Sequence, residues 1–108
     1  MDMRIVIPGL DLKNPVMPAS GTCGYGEELS AFYDLNLLGG FVTKSSTGKE
    51  RFGNPLPRIA EGYEGSLNCI GLENPGVETV ASVAIPKLRR NYHGPLLVSN
   101  AGSDEEEY

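Results

Sequence analysis

Tryptophan is absent from this chain, histidine occurs once as His93, and cysteine occurs only as Cys23 and Cys69. The two cysteines lie far apart and form no CxxC pair. One His and two Cys make no zinc-ligand set, so no metal site is expected. Basic residues are few, nine Lys and Arg against fourteen Asp and Glu, and they are scattered. With aromatics at only 7%, neither a basic footprint nor a stacking surface for nucleic acid is present. Long apolar runs are also missing. Met1-Asp2-Met3-Arg4-Ile5-Val6-Ile7-Pro8 is too polar and short for an export signal, and no stretch approaches a membrane span. A soluble, reducing, cytoplasmic setting is the expectation, and a Cys23–Cys69 disulfide has no secretory signal to support it. The formal charge of −5 is local. Asp104, Glu105, Glu106 and Glu107 supply four of the fourteen acids, leaving ten acids against nine bases elsewhere.

Glycine and proline are plentiful instead, fourteen and eight in 108 residues, which predicts turns and short elements. Ile5-Val6-Ile7 and Leu10-Asp11-Leu12 read as two strands around a Pro8-Gly9 turn. Val16-Met17-Pro18-Ala19 is a third short apolar run, ending in the small polar turn Ala19-Ser20-Gly21-Thr22. Gly21, Gly24 and Gly26 do not fit GxGxxG, so no dinucleotide fingerprint is read. Glu27 to Leu37 is predicted helical, with an acidic first turn and a stripe of Leu29, Phe32 and Tyr33. Gly39-Gly40 ends it, and Phe41-Val42-Thr43 is a buried strand running into Lys44. Arg58 to Glu61 and the residues around Ser66-Leu67 are expected to pair as a hairpin across Gly62 to Gly65. A helix is predicted from Pro75 to about Tyr92, capped by Asn74 and kinked or split by Pro86. Val77, Val80, Ala81, Ala84 and Leu88 keep a helical spacing along it. Leu96-Leu97-Val98 is read as another buried strand, and Asp104 to Glu107 as the acidic first turn of a further helix.

Strand, polar loop and helix therefore recur three times, implying parallel strands and right-handed crossovers. Three parallel strands cannot close a barrel, which needs roughly 200 to 250 residues. The chain is expected to be the opening, incomplete domain of something longer, with a free-standing three-stranded sheet as the alternative.

Two stretches hold the chemistry. Phe41 to Ser46 is an apolar run that ends in Lys44 and hydroxyls, and carboxyl ends of strands are where barrels and open sheets place sites. Lys44 is either a snorkelling surface lysine or a cation for a carboxylate or a flavin edge. Asn68 is either a loop amide bonding its own backbone or an amide paired with a planar ring. Ser20 and Gly21 form either an ordinary turn or a backbone seat for a flat ligand. Cys23 and Cys69 read best as small buried hydrophobes. His93, at a helix end, reads as a C-terminal cation or a spectator.

Taken in order, the motifs resemble the class 1 dihydroorotate dehydrogenases. Pro8-Gly9-Leu10 with Leu12-Lys13-Asn14-Pro15 resembles that family's opening hairpin, and Pro18-Ala19-Ser20-Gly21 its first strand end. Thr43 to Thr47 followed by Gly53-Asn54-Pro55-Leu56-Pro57-Arg58 is a specific pair. Asn68 to Leu72 with Asn74-Pro75-Gly76 is similar to its substrate loop. The resemblance implies an α/β fold, the N-terminal portion of a (β/α)₈ TIM barrel with an opening β-hairpin and about three parallel strands. It also implies FMN at the strand ends and oxidation of dihydroorotate to orotate in pyrimidine biosynthesis. Ala19, Ser20, Gly21, Lys44, Ser45 and Ser99 would contact FMN. Lys44, Asn68, Cys69, Ile70, Gly71 and Leu72 would hold the substrate, the backbone of the last four closing around its carboxylate. The family's catalytic base is expected after Tyr108, and neither cysteine matches it. The implied partners are a homodimer mate and an iron–sulfur, FAD-bearing electron-transfer subunit. Asn100 sits where an apolar residue is usual. Lys44-Ser45-Ser46-Thr47 resembles the single-subunit branch, whereas Leu72-Glu73-Asn74-Pro75-Gly76 resembles the branch with a partner, so the electron acceptor stays open. Another FMN barrel oxidoreductase, or an inactive half-barrel that only binds other chains, are the alternatives.

Overall fold

The computed structural model describes residues 1–108. Strands β1 (Ile5–Ile7) and β2 (Leu10–Leu12) form the expected antiparallel hairpin around Pro8-Gly9. Helix α1 (Glu27–Ser30) leads to strand β3 (Phe41–Val42). A second hairpin, β4 (Ile59–Gly62) with β5 (Gly65–Asn68), stands where it was predicted. Helix α2 (Val77–Thr79), a π-helical stretch Val80–Ala84 and helix α3 (Ile85–Asn91) run end to end into strand β6 (Leu96–Leu97). Strand β6 pairs parallel with β3, Phe41 opposite Leu96 and Val42 opposite Leu97. A 3₁₀ turn at Glu105–Glu107 follows the strand, its amides capped by the Asp104 side chain. No helix is long and apolar enough to cross a membrane.

The core lies where α3 packs over the start of β3. Leu35, Leu38, Phe41, Leu88 and Tyr92 form one buried cluster, with Cys23, Leu29 and Leu96 against it. The Phe41 and Tyr92 rings sit 5.9 Å apart and tilted, a favourable aromatic geometry. The Tyr92 hydroxyl donates to the Pro95 carbonyl at 2.9 Å, so its polar end is satisfied just before β6. Gly26 lets α1 approach this cluster. A Cβ there would lie 2.8 Å from a Leu88 methyl, and its φ of +85° is one that side-chain-bearing residues rarely adopt.

Four expectations need correction. The first helix is much shorter than Glu27–Leu37. The Asp34 carboxylate takes the Asn36 N–H at 2.9 Å and starts a separate 3₁₀ turn at Leu35–Leu37, a local bond that competes with helix continuation. Its apolar stripe is broken too, because Phe32 is 84% exposed and only Leu29 reaches the core. Val16 to Ala19 is not a strand. Its one ladder-like bond is Gly39 N–H to the Val16 carbonyl, and the missing N–H groups of Pro15 and Pro18 explain the rest. Two parallel strands therefore stand in place of about three. Strand β6 is not fully buried, since Leu96 packs against the core but Leu97 and the adjacent Val98 are exposed. As expected, Pro86 splits the predicted helix, standing in the first turn of α3 just behind the π-helical stretch. The wider π turns immediately before it absorb a residue that has no N–H and crowds the preceding carbonyls.

The fourth correction concerns Asn74. The helix starts at Val77 behind Gly76, so Asn74 is not its N-cap. Its amide is buried and links two loops instead. Oδ1 accepts from the backbone N–H groups of Thr47 and Gly76, both at 3.0 Å. Nδ2 donates to the Leu72 carbonyl at 2.8 Å and to Thr47 Oγ1 at 3.0 Å. Backbone groups of Asn74 and Arg51 exchange two further bonds at 2.9 Å. A tertiary use of the amide has displaced the local one.

Asn74→Ala strands several buried donors and acceptors, each costing about 1–3 kcal/mol when unpaired. Urea unfolding should show a loss of about 2–4 kcal/mol, and Asn74→Asp, lacking the Nδ2 donor, should also destabilise. Near the other end of the chain, the Glu107 carboxylate accepts from the Ser103 N–H at 2.6 Å and from Arg51 at 3.1 Å. These partners, the Ser103 N–H foremost, hold it below the usual glutamate range. A depressed folded pKa means the contact stabilises at neutral pH. That stabilisation goes as pH falls below the ordinary glutamate value and through the folded one. An NMR pH titration following the Ser103 amide should show its shift at that lower pH.

Candidate functional site

The β3–β6 ladder changes step where chemistry was expected. Phe41 and Thr43 donate to the carbonyls of Pro95 and Leu97 in regular parallel fashion, but the next bond runs from Ser46 to Ser99. Three residues on one strand thus span two on the other, a bulge at Lys44–Ser45. Bulges re-aim side chains and are common beside active sites. This one also releases a carbonyl. The Ser99 N–H bonds Thr43 Oγ1 at 3.1 Å rather than the Thr43 backbone oxygen. That oxygen accepts from Ser20 Oγ at 2.9 Å.

The result is a row of hydroxyls across three segments. Ser20 Oγ lies 3.3 Å from Ser45 Oγ, which lies 2.6 Å from Ser99 Oγ. Three of the sequence-predicted cofactor residues are thereby brought together at the carboxyl edge of the parallel pair. Ala19 and Gly21 flank Ser20 and are exposed. A Cβ at Gly21 would meet nothing within 4 Å, so the backbone there is open to a flat ligand.

Lys44 is half-buried on the bulge, and its N–H donates to the Gly24 carbonyl at 2.9 Å. None of the chain's four ion pairs involves it. It borders a cleft of about 480 Å³ shared with Tyr25, Glu50, Arg51 and Glu73. The Tyr25 hydroxyl is buried there without a partner, and burial pushes its pKa up.

Residues 68–72 form the second half of the site. Asn68 ends β5 and is exposed. Asn54 holds the loop that follows. Its N–H donates to the Ile70 carbonyl at 3.0 Å, and Nδ2 donates to the Cys69 carbonyl at 3.1 Å and to Cys69 Sγ at 2.9 Å. Cys69 is exposed and Cys23 is half-buried, so the reading of Cys69 as a buried hydrophobe is corrected. Asn54 bonds take it out of the core. Arg58 braces the same turn through the carbonyls of Asn54 and Phe52 and an ion pair with Glu73. A Cβ at Gly71 would stand 2.7 Å from the Asn54 nitrogen, so only glycine fits this close approach.

Gly71 and Leu72 both have positive φ, +78° and +54°. For leucine that conformation is strained, and such strain gathers at functional sites. The N–H of Cys69 is already given to the Arg58 carbonyl at 2.7 Å. The N–H groups of Ile70, Gly71 and Leu72 have no acceptor within the chain. Consecutive free N–H groups suit a carboxylate or another anion. Through Leu72 the Asn74 amide ties this loop to Thr47, three residues beyond Lys44.

Sequence reasoning found the serines, Lys44 and the 68–72 loop. It missed Asn54, Arg58 and Asn74 as the frame that holds the loop, and the buried Tyr25 hydroxyl. Asn54 and Arg58 stood in a motif already singled out, but their partners are 15 residues or more away or on the backbone.

The family model for dihydroorotate dehydrogenase matches residues 3–108. The Exiguobacterium sibiricum protein named dihydroorotate dehydrogenase B (NAD(+)), catalytic subunit, is 51% identical over 106 residues, covering 98% of this chain and 34% of that protein. Its Streptococcus pneumoniae counterpart of the same name is 50% identical over 107 residues, with the same coverage, 98% and 34%. The chain thus spans about a third of the length of these curated relatives. The crystal structure of the Eimeria tenella DHODH in complex with ferulenol has a similar fold. Its TM-score is 0.69 at 22% identity, over 98% of this chain and 31% of that one. On the match from residue 3 to residue 108, this α/β chain belongs to the dihydroorotate dehydrogenase family.

Proposed function

We propose that these residues form the opening portion of a (β/α)₈ barrel that oxidises dihydroorotate to orotate with FMN, as the catalytic subunit of a cytoplasmic enzyme. The single observation that carries the reading is the row Ser20–Ser45–Ser99 beside Lys44 at the carboxyl edge of a parallel pair. Support for the barrel comes from the exposed apolar residues at β6, Leu97 and the adjacent Val98, which suit a further strand or helix. The names of the relatives favour NAD as acceptor and a separate partner subunit; that this partner carries iron–sulfur and FAD groups, and that the subunit pairs as a homodimer, is what the family resemblance adds to the reading.

The residues present fit the cofactor. Ala19, Ser20, Gly21, Lys44, Ser45 and Ser99 offer an open backbone, hydroxyls and an unpaired cation to a flat, electron-rich ring. FMN, when bound, supplies the hydride acceptor for turning the substrate C–C single bond into a double bond. The chain's own residues bind and orient. Lys44 and the free N–H groups of Ile70, Gly71 and Leu72 face charge on the substrate carboxylate, where charge-assisted bonds are strongest. Asn68 pairs with the amide edge of the ring. The proton removed in the same oxidation goes to a base outside these residues, and no residue here is assigned that role.

In the full-length natural protein, Lys44→Ala and Asn68→Ala should each lower kcat/KM for dihydroorotate by about 10- to 100-fold, the scale of one lost charge-assisted or buried hydrogen bond. Steady-state kinetics check this, and wild-type values in both variants would remove these two residues from the site.

A further inference from the structure

A hydroxyl has one hydrogen to give, and that rule sets a direction along the serine row. Ser20 Oγ bonds the Thr43 carbonyl, which only accepts, so Ser20 spends its proton there. The one arrangement that fills every contact of the row makes Ser45 the donor and Ser20 the acceptor across the longer 3.3 Å contact. Ser45 has now spent its own proton. At the short 2.6 Å contact Ser99 is therefore the donor to Ser45. Ser99 Oγ makes no other bond within the chain, so what it has left is lone pairs.

We propose that Ser99 presents an acceptor-only oxygen to the bound flavin, and so favours the reduced ring over the oxidised one. The inference rests on the flavin reading above and deepens it. Ring nitrogens that are bare acceptors in oxidised flavin become N–H donors on reduction. An acceptor-only oxygen repels the first and bonds the second. The bulge is what makes this polarity: it frees the Thr43 carbonyl, which anchors the row at its far end. Ser99 is a positioning residue that tunes the ring. It takes no proton from the substrate.

The test is the two-electron midpoint potential of the flavin in the full-length holoenzyme, measured anaerobically against reference dyes. Ser99→Ala should move the potential to a more negative value. A tenfold loss of preference for the reduced form corresponds to about 30 mV. Ser99→Thr keeps the hydroxyl and should restore the wild-type potential. Ser45→Ala leaves the Ser99 proton without its acceptor, lets Ser99 turn donor towards the oxidised ring, and should also lower the potential. A yellow Ser99→Ala protein with an unchanged or more positive potential overturns the proposal. Should Ser99→Ala fail to hold flavin, Ser45→Ala decides in the same way. A wild-type protein that binds no flavin overturns the reading of the site itself, which is a distinct failure.

Discussion

The buried amide of Asn74 is the constraint on which the arrangement of the site depends. Two segments carry the candidate chemistry, the end of β3 and the loop after β5, and they are not hydrogen-bonded as strands of one sheet. Asn74 joins them by using both faces of its amide, one towards Thr47 and one towards Leu72. Such an amide is costly to bury and cheap once every donor and acceptor is met. It therefore specifies one placement of the loop. The strain at Leu72 is tolerated because Asn54, Arg58 and Asn74 over-determine the backbone around it.

A second local irregularity does comparable work on the other segment. A regular parallel ladder would have consumed the Thr43 carbonyl and left no acceptor to order the serines. The extra residue at Lys44–Ser45 breaks the ladder for one step. It gives Ser20 a partner, sets Lys44 on the bulge, and lets the ladder resume at Ser46 and Ala101. The bulge thereby leaves a cation and hydroxyls at the end of β3 while the apolar cluster of Phe41, Leu88 and Tyr92 holds the start of the strand.

How much of this was legible follows from the range of each interaction. Turn chemistry is local, so the Pro8-Gly9 hairpin and the hairpin across Gly62 to Gly65 were readable from composition. Lys44 and Ser45 were readable because a polar cluster follows an apolar run. Apolar spacing alone extends the Glu27 helix to Leu37, whereas the Asp34 cap, itself a local signal, starts a separate turn. Val16–Ala19 has the apolar residues of a strand, but Pro15 and Pro18 lack the N–H donors that a ladder needs. The bulge had no signature at all, since it exists only in the register between residues 41–46 and 95–101. Asn74 was visible as a capping residue, and its true partners lie 27 residues upstream at Thr47. The identities of cofactor and substrate came through motif resemblance and not through physics of the chain, and the near 50% identity to curated relatives carries the family assignment.

The measurement that tests the account most directly is an orotate titration of the purified full-length protein, followed by visible absorption. The expected result is a yellow protein with an FMN spectrum that shifts saturably as orotate is added. A colourless protein, or a flavin spectrum that ignores orotate, would contradict it.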